Sequence, residues 1–149
     1  MADQRSTNAG QPTGVRISTD RSELDLDWVV SALSERAYWA LGRPREVIEA
    51  SIQGSLCFGA YRDGRQVGFA RVVTDLATFG WICDLFVDES ERGRGVGGEL
   101  MQSVVTHPQL SALKRLVLST RDAEAFYARF GFEPLEHPER WLIRQSPAP

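Results

Sequence analysis

The most constraining feature of the sequence is a glycine-rich segment, Arg92–Gly98, which reads Arg-Gly-Arg-Gly-Val-Gly-Gly. An apolar run over 79–87 that predicts a strand precedes it, and a helical pattern over 99–106 follows it. Successive glycine N–H groups beside a helix N-terminus form a concave site for a phosphate or pyrophosphate. The segment therefore predicts a strand–loop–helix unit that binds a phosphate-containing ligand.

Hydrophobic periodicity predicts the remaining elements. Asp63-Gly64 between two apolar runs is typical of a β-hairpin. Helical spacing predicts helices over 25–39, 44–54 and 122–130. Further strands are predicted over 15–18, 55–62, 66–74, 113–119, 132–135 and 141–143. Early strands joined by hairpins and later ones joined by helices indicate a mixed sheet with helices on its faces.

Composition excludes several classes of protein. The chain has 149 residues, of which 42% are hydrophobic and 25% charged, as in an ordinary soluble domain. Its formal net charge of −3 argues against a dedicated nucleic-acid binder. No apolar run is long enough to span a membrane, and the polar start does not resemble a signal peptide, so we expect a cytoplasmic protein. The cysteines, Cys57 and Cys83, lie in apolar runs that suit small core residues, and no spacing suggests a metal site.

Two familiar phosphate-binding motifs can be compared with the loop. Gly93-x-Gly95-x-x-Gly98 formally satisfies the dinucleotide fingerprint. However, five residues separate the strand from the first glycine, a hairpin-linked sheet lies upstream, and too little chain follows for a doubly wound sheet. A nucleoside-triphosphate P-loop is excluded because no Gly-Lys-Ser/Thr follows. An NAD(P)-binding protein is therefore only a minor alternative.

Two motifs together resemble a known family, the GCN5-related N-acetyltransferases (GNAT). Arg92-Gly-Arg-Gly-Val-Gly97 matches the family's Gln/Arg-x-x-Gly-x-Gly/Ala. Ala123-Glu-Ala-Phe-Tyr-Ala-Arg-Phe-Gly-Phe132 matches its Ala-x-x-Phe/Leu-Tyr-x-x-x-Gly-Phe. The stretch Asp84–Asp88 looks like the family's fourth strand, and the resemblance covers roughly Arg16 to Arg144.

The resemblance implies a fold and a domain organisation. The fold is α/β (α+β): one domain with a mixed, mostly antiparallel central sheet of about seven strands flanked by about four helices. The fourth and fifth strands are expected to splay apart. The domain would extend over residues 15–145, between a flexible N-terminal tail, 1–14, and a loose C-terminal tail, 146–149.

The resemblance also implies an activity: an N-acetyltransferase that moves an acetyl group from acetyl-CoA to a primary amine by direct attack in a ternary complex. The backbone of Leu85, Phe86 and Val87 would pair with the pantetheine arm, and an N–H there would polarise the thioester carbonyl. Tyr127 would be the general acid for the departing sulfur. The residues expected to hold the pyrophosphate are Arg92, Gly93, Arg94, Gly95, Val96, Gly97 and Gly98. A CoA-binding module without turnover is the main alternative.

The chain departs from the family pattern at two positions. Trp81 stands where some members carry a glutamate base, and Thr120 stands where many carry an asparagine. Asp84 is the nearest carboxylate on the strand, and it is either a base, directly or through water, or a structural acceptor. Asp75 is a weaker candidate, and Cys83 stays open as an acyl carrier.

The resemblance implies that the acceptor site lies under the first two helices and their connecting loop, here roughly the segment from Glu35 to Glu49. Tyr38 and Trp39 are candidates for its wall. Arg43 and Arg45 either hold an acceptor anion or are solvated loop charges, and Arg71 either points into the cleft or pairs with Asp75 or Asp84. The expected partner is a small-molecule amine or a protein amine, with no nucleic acid and no membrane; a homodimer is compatible with the resemblance.

Overall fold

A computed structural model describes residues 14–147. These residues divide into two compact units, with the boundary between Ser119 and Thr120. The predicted N-terminal tail lies outside the described residues except for Gly14. The expectation of one domain over 15–145 stays a prediction.

The first unit is built on a five-stranded sheet whose strands follow chain order. Strands β1 to β4 are antiparallel, and β5 runs parallel to β4. The predicted hairpin is confirmed, because Asp63 and Gly64 both have positive φ (53° and 79°), as a tight two-residue turn requires. The strands are β1 (Arg16–Ser18), β2 (Leu56–Arg62), β3 (Arg65–Thr74), β4 (Phe79–Val87) and β5 (Arg115–Leu118).

The described residues form five α-helices: α1 (Leu26–Ser31), α2 (Arg45–Gln53), α3 (Val96–Thr106), α4 (Pro108–Ser111) and α5 (Glu124–Ala128). Short 3-10 turns lie at Arg21–Glu23, Glu89–Glu91 and Pro138–Arg140. None of these helices, within residues 14–147, has the length and apolar character needed to cross a bilayer.

The first helix ends earlier than its sequence pattern predicts. After α1 the chain widens into a π-helical turn, Ala32–Arg36, and the Ala37 N–H donates to the Ala32 carbonyl at 2.9 Å. Ala37 itself is extended (φ −83°, ψ 117°), so helical geometry stops there. The predicted helix over 25–39 is therefore wrong at its end. Tyr38 and Trp39 lie in the loop that leads to α2.

The core has two layers because side chains of a strand alternate between the faces of a sheet. Phe69 packs with Val29 and Leu33 of the α1 region and with Ile48 of α2. On the opposite face, a Cβ at Gly68 would lie 3.0 Å from Leu100 of α3, so α3 packs closely on β3. The helices thus hold both faces of the strand that adjoins the candidate site.

The second unit differs most from the sequence prediction. Helix α5 covers five residues, and the segments 132–135 and 141–143 form no strand in the part of the chain described. Pro134 and Pro138 interrupt this region, and proline supplies no N–H to a sheet ladder. The prediction of about seven strands is therefore not confirmed: residues 14–147 contain five.

Candidate active site

Strand β4 has an open edge at the stretch where the resemblance implies the thioester. Its pairing with β5 runs from Phe79↔Arg115 to Ile82↔Leu118 and ends there. Strand β4 continues to Val87, and β3 pairs with its other edge as far as Val87. Along Cys83–Val87, no described strand pairs with the edge on the β5 side. The pairing stops where β5 ends, at Leu118, and leaves backbone groups of Leu85–Val87 on the open edge. The splay of the two strands stays a prediction.

A β-bulge lies at the start of this open stretch. Phe69 pairs with Phe86 and Arg71 with Cys83, so Ala70 of β3 stands opposite two residues of β4, Asp84 and Leu85. Asp84 has φ 58°, in the left-handed region that aspartate tolerates better than most residues. The extra residue breaks the alternation and turns Asp84 to the face that carries Arg71. Sequence reasoning missed this bulge, and the one available signal was an aspartate inside an apolar run.

Asp84 lies at the centre of a buried cluster, and its side chain is 1% exposed. The Trp39 indole Nε1–H donates to Oδ1 at 2.8 Å. The Arg43 Nη1 and Arg71 Nε groups donate to Oδ2 at 2.9 and 2.8 Å. We call Asp84, Arg43, Arg71 and Trp39 the Asp84 cluster. The structure thereby brings together residues that are far apart in the sequence and that the sequence analysis selected separately.

The electrostatics of the cluster keep Asp84 ionised. Burial by itself would raise its pKa, but the Arg71 and Arg43 guanidinium groups and the Trp39 indole hold the pKa below its usual value. A carboxylate with a lowered pKa and both oxygens engaged is a poor proton acceptor at neutral pH. Of the two interpretations of Asp84, these contacts favour the structural acceptor.

The other acceptor-site candidates take distinct places. Arg71 forms its ion pair with Asp84 and, within residues 14–147, none with Asp75. Its Nη1 also donates to the Ser55 hydroxyl at 3.0 Å. The Tyr38 ring meets the Trp39 ring edge-on, with centroids 5.0 Å apart. Arg45 instead forms exposed ion pairs with Asp27 and Glu49.

Asp75 has a structural role in the β3–β4 turn. It accepts hydrogen bonds from the N–H groups of Ala77, Thr78 and Phe79 and from the Thr78 hydroxyl. The Thr78 backbone and hydroxyl contacts, with those from Ala77 and Phe79, hold the pKa of Asp75 well below its usual range. These bonds favour a turn-forming role over that of a general base.

The glycine-rich loop is exposed and its backbone is left-handed at two positions. Gly93 and Gly95 have φ 78° and 85°, and Arg92–Gly95 are all exposed. The N-cap residue of α3 is Gly95, which has no side chain to cap the helix, and the first helical bond of this turn runs from the Glu99 N–H to the Gly95 carbonyl at 3.0 Å. Helix geometry therefore leaves the N–H groups of 96–98 without an acceptor within the helix. Backbone N–H groups placed in this way are suited to an anionic ligand.

Two contacts fix the loop relative to β4. Arg92 donates from Nε to the Val87 carbonyl at 3.2 Å, and its guanidinium lies 5.3 Å from the centroid of the Phe86 ring. Glu91 is buried and pairs through Oε1 with Arg62 at 3.0 Å and Arg94 at 3.4 Å. Glu91 is a positioning residue that sequence reasoning missed, because nothing in the charged run 88–94 distinguishes it before folding.

Cys83 precedes Asp84 on the open stretch and is half-buried. Burial raises the pKa of its thiol. The thiolate is the nucleophilic form, so a raised pKa lowers its population at neutral pH and disfavours an acyl-carrier role. Within residues 14–147 no three His, Cys, Asp or Glu side chains gather in a metal-binding group.

Tyr127 and Thr120 belong to the second unit. Tyr127 is half-buried on α5, and its ring contacts Phe126 at 5.0 Å and Phe132 at 6.1 Å between centroids. The Phe132 N–H donates to the Tyr127 carbonyl at 3.3 Å, which closes the Phe-Tyr-x-x-x-Gly-Phe segment on itself. Thr120 accepts from the Ala123 N–H through its hydroxyl at 3.1 Å, a cap just before the helix.

Comparison with known proteins identifies the family. The family model described as "Acetyltransferase (GNAT) domain" matches residues 53–134, more than half of the chain. A solved protein of the GNAT family from Xanthomonas campestris pv. campestris is 44% identical, with a TM-score of 0.86 over 89% of this chain and 94% of that one.

Two further relatives extend the comparison. A curated Gibberella zeae protein, provisionally named an acetyltransferase, is 29% identical over 71% of each chain. N-acetylglutamate synthase from Neisseria gonorrhoeae, solved with coenzyme A and N-acetyl-glutamate, is 23% identical; the match has a TM-score of 0.68 and covers 84% of this chain and 30% of that one. This last likeness concerns the fold alone. The matched family model and the Xanthomonas relative show that the chain belongs to the GNAT acetyltransferase family.

Proposed function

We propose that the protein is an N-acetyltransferase that transfers the acetyl group of acetyl-CoA to a primary amine, by direct attack in a ternary complex. The observation that carries the proposal is the junction of two features: the open edge of β4 and the exposed loop before α3. Arg92 joins them through its bond to the Val87 carbonyl. A ligand with a pyrophosphate and a long amide-bearing arm suits this junction, because the pyrophosphate fits the loop and the amides can pair with the open edge.

The residues present fit coenzyme A. The pyrophosphate would accept from the N–H groups of Arg94, Gly95, Gly97 and Gly98, with the charges of Arg92 and Arg94 beside it. A Cβ at Gly93 would meet nothing within 4 Å, so the loop surface is open to a ligand. The pantetheine amides would pair with the open edge over Leu85–Val87, as an added strand does.

The proposed reaction is one displacement. The amine nitrogen attacks the thioester carbonyl carbon; the C–N bond forms, the C–S bond breaks, and the sulfur leaves with the bonding pair. A backbone N–H in Leu85–Val87 stabilises the carbonyl oxygen as it gains charge. Tyr127 protonates the sulfur, and the amine proton passes to water because the oxygens of Asp84 are engaged. Holding both reactants in one geometry supplies much of the rate.

Tyr127→Phe is expected to lower kcat roughly tenfold and to leave KM for acetyl-CoA nearly unchanged. General acid–base groups contribute about 10²–10⁴-fold, but a thiol with a pKa near 8.5 is a good leaving group that needs less help. Steady-state measurement of thiol release checks this. An unchanged kcat, or a change confined to KM, would contradict the assigned role.

Cys83→Ala is expected to retain most of the activity, because the amine attacks the thioester directly. The readouts are the rate of thiol release and the mass of the wild-type protein after incubation with acetyl-CoA alone. An acetyl adduct on Cys83, with loss of turnover in the variant, would show a covalent route instead.

The experiment that tests the function is thermal melting with acetyl-CoA, CoA or NADPH, followed by thiol release with a panel of amines. A ligand at 100 times its Kd stabilises by about 2.7 kcal/mol, or roughly 5–10 °C here. Shifts with acetyl-CoA and CoA, with turnover, support the proposal. The same shifts without turnover of any amine would indicate a CoA-binding module, and a shift with NADPH alone would indicate a dinucleotide site.

A further inference from the structure

The Asp84 cluster holds more positive charge than its one carboxylate neutralises. Arg43 and Arg71 both bond the same oxygen of Asp84, and in the part of the chain described neither has a second carboxylate partner. Ser55 supports Arg71 with a neutral group, since its hydroxyl accepts from Arg71 at 3.0 Å. Uncompensated positive charge at a partly buried site attracts an anionic ligand, because charge interactions are stronger where less water screens them.

Arg43 is the more exposed of the two guanidinium groups in the cluster. Its side chain is 23% exposed, and within residues 14–147 its ion pair is the one from Nη1 to Asp84. A guanidinium presents five N–H groups in a planar fork that matches a carboxylate. Asp84 fixes one side of this fork and leaves donors on the other side available.

The position of the cluster relates it to the reacting centre. Asp84 directly precedes the stretch Leu85–Val87, along which we place the thioester. An acceptor held at Arg43 would therefore place its anionic group near the reacting carbonyl. This favours a short molecule in which the amine and the anion lie close together.

The walls beside the cluster are apolar and exposed. Tyr38 and Trp39 are 48% and 41% exposed, although Trp39 is anchored to Asp84 through its indole N–H. Val73 of β3 and Trp81 of β4 face each other as an exposed cross-strand pair. Val73 lies two residues after Arg71 on β3, so the pair is on the same face of the sheet as Arg71. Exposed aromatic side chains held in place next to a charged group are suited to an apolar ligand with one polar end.

We infer that the acceptor is a small amino acid with an apolar or aromatic side chain, whose carboxylate is bound by Arg43 of the Asp84 cluster. Arg71 supports this charge from β3, and Asp84 holds the two guanidinium groups together. The inference rests on the proposed N-acetyltransferase function and adds the substrate class.

The test compares three forms of each acceptor: L-phenylalanine and L-leucine, their amides, and their decarboxylated amines. The amino group of the amide is less basic than that of the acid, so more of it is neutral and ready to attack. A preference for the acid over the amide therefore cannot come from the fraction of neutral amine. We expect kcat/KM for the acids to exceed that for the amides and amines by about tenfold or more, as the loss of a charge-assisted bond implies.

Arg43→Gln is expected to lower kcat/KM for the acids by about tenfold to a hundredfold, mainly through KM, and to leave the amides unchanged. Arg43→Lys keeps the positive charge but not the planar set of donors of a guanidinium, so it should restore only part of the kcat/KM lost in Arg43→Gln. The matched control is Arg16→Gln: Arg16 lies on the edge strand β1, away from the strands β3 and β4 that carry Arg71 and Asp84, and its exposed ion pair is with Glu23. Melting with acetyl-CoA shows that each variant is folded and binds the co-substrate.

Three results would overturn the inference. One is acetylation of the amides or amines as fast as the acids, and another is an acid preference that survives Arg43→Gln; in both, the N-acetyltransferase function stands. The third is no turnover of any acceptor in the panel. The melting shift with acetyl-CoA then separates the two ideas, because its presence leaves the co-substrate assignment standing and its absence removes that as well.

Discussion

Asp84→Asn is expected to lower the free energy of unfolding by about 3–5 kcal/mol at neutral pH, since removing one partner of a buried ion pair leaves uncompensated charge. The variant keeps the shape of the side chain and tolerates the left-handed backbone at this position, where φ is 58°. What it removes is the negative charge between Arg43 and Arg71. Urea unfolding followed by far-UV circular dichroism measures the loss.

The pH dependence of this loss has a definite sign. The pKa of Asp84 is lower in the folded than in the unfolded chain, so its ionisation stabilises the fold above the unfolded pKa, near 3.9. The difference between wild type and variant should be constant from pH 7 to about pH 5 and should shrink as the pH falls below about 4. Asp27→Asn, at an 86% exposed carboxylate paired with Arg45, is the matched control and should change stability by about 0–1 kcal/mol. Equal, small losses in the two variants would show that the Asp84 cluster is not a buried charge centre.

Gly93→Asp is expected to weaken the binding of CoA and acetyl-CoA by roughly tenfold or more, through repulsion between its carboxylate and the pyrophosphate. Gly93 is exposed, and a Cβ there meets nothing within 4 Å, so the change brings no steric clash inside the protein. Its φ of 78° imposes a modest strain that aspartate and asparagine share. Isothermal titration with CoA measures the affinity.

Gly93→Asn is the control that isolates the charge, because it has the same shape and the same backbone preference. The ratio of the two dissociation constants should fall as salt rises, since screening weakens an exposed electrostatic effect. If asparagine weakened binding as much as aspartate, the cause would be backbone strain. If neither changed it, the loop would not hold the pyrophosphate.

The elements that sequence reasoning predicted well are those with strong local signals. Asp63-Gly64 between apolar runs predicted the hairpin, and the loop before α3 was predicted from its glycines. These features depend on only a few neighbouring residues, namely on the conformational freedom of glycine and on the spacing of apolar residues along the chain. Short apolar runs predicted strands over 132–135 and 141–143, but prolines lie close to both segments, and neither segment forms a strand in the described chain.

The candidate site was predicted as separate residues and not as an arrangement. Tyr38, Trp39, Arg43, Arg71 and Asp84 were each selected, but no spacing in the sequence indicated that three of them donate to one carboxylate. The loop after the π-helical turn carries Trp39 and Arg43, and the bulge turns Asp84 toward them. Both are departures from regular geometry that depend on packing between elements.

The sequence by itself determined the local units of this protein: the hairpin, the strand–loop–helix unit with its exposed glycines, and the two motifs of the GNAT family. Only the tertiary structure decided what Asp84 does. Its ionisation and its hydrogen bonds depend on burial and on guanidinium groups that come from other elements of the chain. Charge interactions act through space and strengthen as water is excluded, so a carboxylate that resembles a base in the sequence becomes a buried anchor for two arginines in the fold.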